Sequence, residues 1–351
     1  MIKNLIKSLS LVLDVINDSN IEQVPKVLKF FKLKKLILLM MKTLLISGAA
    51  GFLGSHLCDY FLKTNHKVIG LDNFLTGSYA NIEKSLANKN FSFIEHDVCK
   101  SIKIKEKLDF ILHFASPASP IDYLKYPIKT LKIGSIGTEN MLNLALNHNS
   151  RILVASTSEV YGDPLEHPQK ESYFGNVNPI GPRGVYDEAK RYLEALTTAY
   201  KVKKNLDVRI IRIFNTYGPR MRINDGRAIP NFINQALNNQ DLTIYGDGSQ
   251  TRSFCYISDT ISGIVKLLQS SYQFPVNIGN PSEFTILDLA KKIKENIKST
   301  SSIVYKTLPE NDPKIRKPDI TLANKIFDWE PLIDLDTGLK KTIDYYKNLN
   351  K

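Results

Sequence analysis

Cysteine and tryptophan are scarce, with three cysteines and one tryptophan in 351 residues. Cys58, Cys99 and Cys255 lie far apart and form no Cys-x-x-Cys pair. That spacing suggests no disulfide framework and no zinc site, so no metal is expected, and it suits a reducing, cytoplasmic compartment. Long apolar runs are also missing. Residues 36–41, after Lys35, make a short uncharged stretch, far below the ~20 residues a membrane-crossing helix needs. No small-residue cleavage site follows a clean apolar core, so neither a secretory signal nor a membrane span is expected. Basic runs alternating with aromatics are absent as well, which argues against nucleic acid as a partner.

What is present is a basic globular composition, 43% hydrophobic and 23% charged, with a net charge of +12. The lysines are scattered among asparagine and isoleucine, which reads as solvated surface. Residues 1–40 stand apart. They are basic and apolar at once, with charges interrupting every apolar run. A membrane-surface helix fits that pattern, but an extension without catalytic function fits it better, because the first nucleotide-binding signal begins only at Met41 or Lys42.

From there strand and helix patterns alternate. Residues 43–47, 67–71, 91–95, 109–114, 151–155 and 207–214 read as strands. Residues 52–63, 128–146 and a segment through Tyr200 read as helices. Alternation of this kind predicts an α/β fold, a doubly wound parallel sheet of the Rossmann kind. The pattern degrades after Tyr217, where Pro219, Gly226, Pro230, Gly246 and Gly248 interrupt it. The expected organisation is a nucleotide-binding domain over 42–220, returning near 253–275, and a smaller substrate-binding domain over most of 221–351.

Gly48, Gly51 and Gly54 follow the first strand and open the first helix. Glycines there let backbone N–H groups approach a pyrophosphate, and the helix N-terminus favours its charge. Phe52 and Leu53 belong to the same turn. Asp72 ends the next strand, where a carboxylate binds ribose hydroxyls and repels a 2′-phosphate, selecting NAD over NADP. Its plainer role is to cap a turn. Tyr186 and Lys190 lie four apart on a helical segment, hence on one face. An ammonium beside a phenol favours the phenolate, making the pair a proton shuttle for an alcohol. Alone this spacing is a weak signal; behind a glycine-rich turn it is a strong one. Thr157 and Glu159 follow the 151–155 strand, at the sheet edge where ligands of open α/β folds sit. Thr157 is expected to share the substrate oxygen's proton. Glu159 is either a site carboxylate or a turn cap.

The glycine pattern with Tyr-x-x-x-Lys resembles the extended short-chain dehydrogenase/reductase superfamily. Within it, several stretches resemble the UDP-glucuronate decarboxylase (UDP-xylose synthase) family: Leu71-Asp-Asn-Phe-Leu-Thr-Gly77, Ala115-Ser-Pro-Ala-Ser-Pro120, Ser156-Thr-Ser-Glu-Val-Tyr-Gly162, Asn178-Pro-Ile-Gly-Pro182 and Arg316-Lys-Pro-Asp319. The likeness spans residues 42–348. It implies a tightly held NAD, bound additionally by Asn73, Thr76, Gly77, Asp97 and Val98, with Lys190 on the nicotinamide ribose. It implies oxidation at C4 of UDP-glucuronate, loss of carbon dioxide, reprotonation at C5 and return of the hydrogen to C4. Tyr186 would hold the C4 proton, with Glu159 and Arg316 at the carboxylate end. A tight Arg–carboxylate pair alone would stabilise the ground state, so Arg316 must do more, such as steering carbon dioxide loss or relaying the C5 proton. Asn215, Arg227 and Arg252 would meet the diphosphate and Tyr245 the uracil. Ser158 stands where related 4,6-dehydratases carry an aspartic acid, and serine is no acid near neutral pH. A 4-epimerase is the other enzymatic alternative, and a non-catalytic NAD sensor the alternative outside enzymes. Related enzymes pair two helices per subunit, here 128–146 and 186–201, which implies a homodimer.

Overall fold

The structure, a computed structural model, describes residues 41–307 and 315–349. The expectation for residues 1–40 falls outside the described residues. The chain opens with β1 (Thr43–Ser47), α1 (Phe52–Lys63), β2 (Lys67–Asp72), α2 (Glu83–Leu86), β3 (Phe91–Glu95) and β4 (Phe110–His113). Next come α3 (Pro120–Lys125), α4 (Pro127–Lys132), α5 (Thr138–His148), β5 (Arg151–Thr157), α6 (Gly184–Lys204) and β6 (Val208–Ile213). The later part holds β7 (Thr216–Tyr217), α7 (Ala228–Leu237), β8 (Leu242–Tyr245), β9 (Thr251–Ser253), β10 (Cys255–Tyr256) and α8 (Ile257–Gln269). It closes with β11 (Pro275–Ile278), β12 (Glu283–Thr285), α9 (Ile286–Ile297), β13 (Ile303–Lys306), α10 (Thr321–Phe327) and α11 (Leu335–Leu349).

One parallel seven-stranded sheet runs β11-β6-β5-β4-β1-β2-β3. The order reverses at β1 and β4, opening a crevice at their carboxyl ends, where such sheets bind ligands. Its central strands are apolar on both faces, because helices cover both. On one face α1 and α8 bury Leu44, Ile46, Leu57 and Ile264; on the other α5 and α6 bury Leu45, Ile111, Met141 and Leu193. The doubly wound parallel sheet expected from the alternation is therefore present. Beyond β6 only β11 (Pro275–Ile278) returns to this sheet; the other strands pair in twos, β10 with β7, β12 with β9 and β13 with β8, and α7 packs on α9. Short strands broken by glycine and proline explain the fading periodicity.

Two local differences have clear causes. Residues 128–146 do not form one uniform helix: α4 passes into a π-helical turn over Ile133–Gly137 before α5 begins. A Cβ on Gly134 would come within 2.6 Å of the Ala189 carbonyl oxygen, so the bulge and its glycine let this segment lie directly on α6. β5 runs two residues beyond the expected strand, to Thr157, because it pairs with β6 through Ile213. That extension carries Thr157 to the crevice.

Candidate functional site

The glycine turn is built for close approach. Gly48 has φ +74°, and a Cβ there would meet Ala115 N at 2.8 Å; one on Gly54 would stand 1.9 Å from the Gly48 carbonyl oxygen. Only bare backbone fits, and it opens a cleft of about 150 Å³ lined by Gly48, Gly51, Phe52, Leu53, Gly54, Asp72, Asn73, Thr76, Asp97 and Val98. Gly77 is not on that wall; it packs against Ala50 behind it. Asp72 is buried and accepts the N–H groups of Ala50 and Phe74, both at 2.9 Å. Burial raises its carboxyl above the ordinary value despite those bonds. Asp72 thus braces the turn, as a cap would, while its carboxylate also faces the cleft. Burial would raise the Asp97 carboxyl, but its pairing with Lys129 and the Cys99 N–H together hold it low. A glycine cradle with an acid at the second strand suits a dinucleotide pyrophosphate and ribose.

Phe52, Leu53, Phe114, Ser116, Ala118 and Arg227 also line a second, larger cavity of about 540 Å³. Into it face Thr157, Ser158, Glu159, Tyr186, Lys190, Asn215, Arg227, Tyr245, Arg252 and Arg316. All the residues picked out from the sequence for catalysis and for the nucleotide sugar therefore share one cavity. The β5 extension and the 3₁₀ turn over Ser158–Tyr161 place the first three, α6 the next two.

The electrostatics of the Tyr186–Lys190 pair are set first by burial. Burial, then the charge of Glu159, pushes the Tyr186 phenol above its ordinary value, although a Thr157 side-chain hydrogen bond opposes this. Lys190 lies beside it. Its Nζ donates to the Ala155 carbonyl at 2.8 Å and sits 5.7 Å from the Tyr186 ring, while burial pushes the ammonium down to about 8. Burial is the leading cause for both groups, and the ammonium is turned toward a carbonyl.

Glu159 is bracketed. Arg316 donates to its Oε1 and Arg183 to its Oε2, and Arg316 also donates to the Gly162 carbonyl at 2.9 Å. Burial would raise the Glu159 carboxyl, but Arg183 and Arg316 outweigh it and hold it down to about 2. Arg227 is tied to Asp225. The Asn215 side-chain nitrogen is buried with no partner, a donor facing the cavity where a diphosphate or sugar oxygen would satisfy it.

Several residues here escaped the sequence reading. Arg183 stands one helical turn before Tyr186, so its spacing was a usable signal. Tyr123, on α3, stacks on Tyr186 at 5.1 Å between ring centroids and 9° between planes. Asp187 adjoins Tyr186 and is buried. Arg220, bonded to Asp59, lines the cleft. Nothing local marks Tyr123 or Arg220, because tertiary packing creates their roles. Among the described residues no group of histidine, cysteine and acidic side chains could hold a metal, and no helix is long and apolar enough to cross a membrane.

Comparison with known proteins places this geometry. Residues 44–279 match the NAD dependent epimerase/dehydratase family. UDP-glucuronic acid decarboxylase 1 of Danio rerio is 51% identical over 305 residues, 87% of this chain and 72% of the relative. UDP-glucuronic acid decarboxylase 5 of Arabidopsis thaliana is 50% identical over 297 residues, 84% of this chain and 86% of the relative. Among solved structures, a UDP-glucuronic acid 4-epimerase from Bacillus cereus, in complex with UDP-glucuronic acid and NAD, aligns with TM-score 0.79 and 30% identity, covering 88% of this chain and 99% of its own. A UDP-glucose 4-epimerase from Thermotoga maritima aligns with TM-score 0.81 and 26% identity, covering 88% and 100%.

Proposed function

The chain belongs to the NAD dependent epimerase/dehydratase family, and on that premise we propose that it converts UDP-glucuronate to UDP-xylose and carbon dioxide with NAD as its retained cofactor. The observation that carries this reading is the trio Arg183–Glu159–Arg316 in the same cavity as Tyr186. A 4-epimerase acting on an uncharged sugar has no use for it. The curated decarboxylases are also the more similar relatives, at about half identity against 30% for the glucuronate epimerase.

Bound NAD supplies a reversible acceptor for the hydrogen at C4, and the glycine cradle with Asp72 would hold it. Tyr186 takes the proton of the C4 hydroxyl and returns it. Thr157 holds that oxygen through both states, adding electrostatic support as charge develops. Once C4 is a ketone, the C5 carboxylate belongs to a β-keto acid. The bond from C5 to the carboxyl carbon breaks, its electron pair flows toward the ketone, carbon dioxide leaves, and C5 takes one proton. Reduction at C4 then closes a cycle with no net redox change. Glu159, held as an anion, cannot donate a proton near neutral pH, so its part is electrostatic: it fixes Arg316 and Arg183 and opposes tight capture of the substrate carboxylate. Asn215, Arg227 and Arg252 serve the diphosphate, and Tyr245 the uracil. Lys190 turns from the Ala155 carbonyl toward the nicotinamide ribose.

In this reading residues 42–220, with 253–275, serve the cofactor and most of 221–351 the nucleotide sugar. The active form is a homodimer. Ile128, Leu131 and Ile136 on the α4–α5 segment and Tyr192 and Val202 on α6 are exposed, an apolar surface suited to a second copy. Free thiols at Cys58, Cys99 and Cys255 suit the cytoplasm.

Incubation of purified protein with UDP-glucuronate tests the reading. UDP-xylose and carbon dioxide should form without added reductant. UDP-galacturonate as product would make it an epimerase, and NADH accumulating in proportion to substrate would exclude the closed cycle.

A further inference from the structure

Asp187 is a buried carboxyl for which the reaction above has no task. It sits in the first turn of α6, 5% exposed, and its Oδ1 has no hydrogen-bond partner. A buried carboxylate with an unmet oxygen is costly as an anion. The charged groups facing it are Glu159 on the 3₁₀ turn, Arg183 at the start of α6, Arg316 on the segment beyond α9, and Glu188 beside it. Arg252, on β9, acts on the same cluster through Glu159. Arg183, Arg252, Arg316 and Glu159 line the cavity, and Asp187 is buried next to that wall rather than on it, with Glu188 beside it. A ligand carboxylate entering there is a third anion, and Glu159 is clamped on both oxygens.

We propose that Asp187 takes up a proton from solvent when a carboxylate-bearing ligand enters this cluster, so that substrate binding and proton uptake are one event. An O–H bond forms on Asp187 and no bond of the ligand changes. The inference rests on UDP-glucuronate being the substrate. Its direction follows from the surroundings. Burial, then the Glu159 charge, already pushes the Asp187 carboxyl up to about 7. Another anion nearby moves it further toward the neutral acid. Decarboxylation consumes one proton at C5 for each carbon dioxide released. Asp187 sets such a proton beside the cluster before the carbon–carbon bond breaks. Asp187 is thus a positioning residue for charge rather than a group touching the reacting atoms.

Calorimetry on the Tyr186→Phe protein, with NAD bound, separates binding from turnover. UDP-glucuronate is titrated at pH 7.5 in two buffers of different ionisation enthalpy. Net uptake of protons, a measurable fraction of one per site, is expected. UDP-xylose, which lacks the carboxylate, should bind with uptake near zero. Tyr186→Phe/Asp187→Asn should bind UDP-glucuronate with uptake near zero. Equal uptake in the double variant, or none in Tyr186→Phe, overturns the proposal. Binding of UDP-xylose without binding of UDP-glucuronate overturns the substrate reading and the proposal with it. Should the double variant fold poorly, infrared difference spectra of Tyr186→Phe decide: a protonated-carboxyl band must appear with UDP-glucuronate and not with UDP-xylose.

Discussion

The cofactor cleft and the sugar cavity share a wall but are built by opposite means. The cleft is made from backbone. Gly48, Gly51 and Gly54 supply it by lacking side chains, and its acids, Asp72 and Asp97, follow within two strands. The working groups of the cavity are charged and hydroxyl side chains, set among apolar ones and delivered by segments as far apart as Phe52 and Arg316. A site of bare backbone is intolerant of any added atom, whereas a site of paired charges is intolerant of any removed one. That contrast predicts different failures in the two halves.

The largest effect should come from Tyr186→Phe, which removes the proton carrier and little else. Turnover should fall by about 10²–10⁴-fold or more with NAD still bound. Near-normal turnover would mean that another group carries the C4 proton. Gly54→Ala should break the cleft alone. Its Cβ would fall 1.9 Å from the Gly48 oxygen, against backbone that has no room to move. Co-purified NAD should drop at least tenfold, while Gly51→Ala, whose nearest contact would be 3.1 Å, should lose less. Equal retention of NAD in both variants would remove the distinction between the two halves.

Glu159→Gln probes the charged half through stability. The folded carboxyl lies at about 2, below its ordinary 4.5. Its contribution is therefore fully present above pH 4.5 and is lost as pH falls from 4.5 through 2. The variant should lose about 3 kcal/mol at pH 7 and show a flatter acid limb in chemical denaturation from pH 7 downward. An unchanged limb would mean that the two arginines do not hold this carboxylate. The smallest effect is expected from Asp72→Ala, which frees two backbone donors at a cost of about 1–3 kcal/mol. The preference for NAD over NADP should also shrink, by about tenfold, in binding titrations. An unmoved preference would make Asp72 a brace for the turn and nothing more.

The same contrast decides what the sequence reveals. β1, α1 and Asp72 are legible because their reasons are local: an apolar run, three glycines, an acid at a strand end. Tyr186 and Lys190 are legible as a helical spacing, Glu159 as a carboxylate at a strand end, and Arg316 through family resemblance. The pairing of Tyr123 with Tyr186 is invisible, since α3 and α6 meet only in the folded chain. The hydrogen bond from the Lys190 ammonium to the Ala155 carbonyl is hidden for a related reason: the sequence position shows the neighbouring phenol but not the carbonyl on β5. β11 escaped because four residues carry too little pattern, although it completes the sheet.

That last strand has a consequence in time. Asn277 on β11 donates to the carbonyls of Gln169 and Asp319, and Tyr161 donates to it in turn, so one side chain stitches the loop before α6 to the segment bearing Arg316. During synthesis at about 5–20 residues per second, Tyr186 and Lys190 leave the ribosome roughly 6–25 s before Arg316. The growing chain thus holds its alcohol chemistry well before the arginine that accompanies carboxylate loss. A polypeptide halted in between has the nucleotide cradle without the closing stitch.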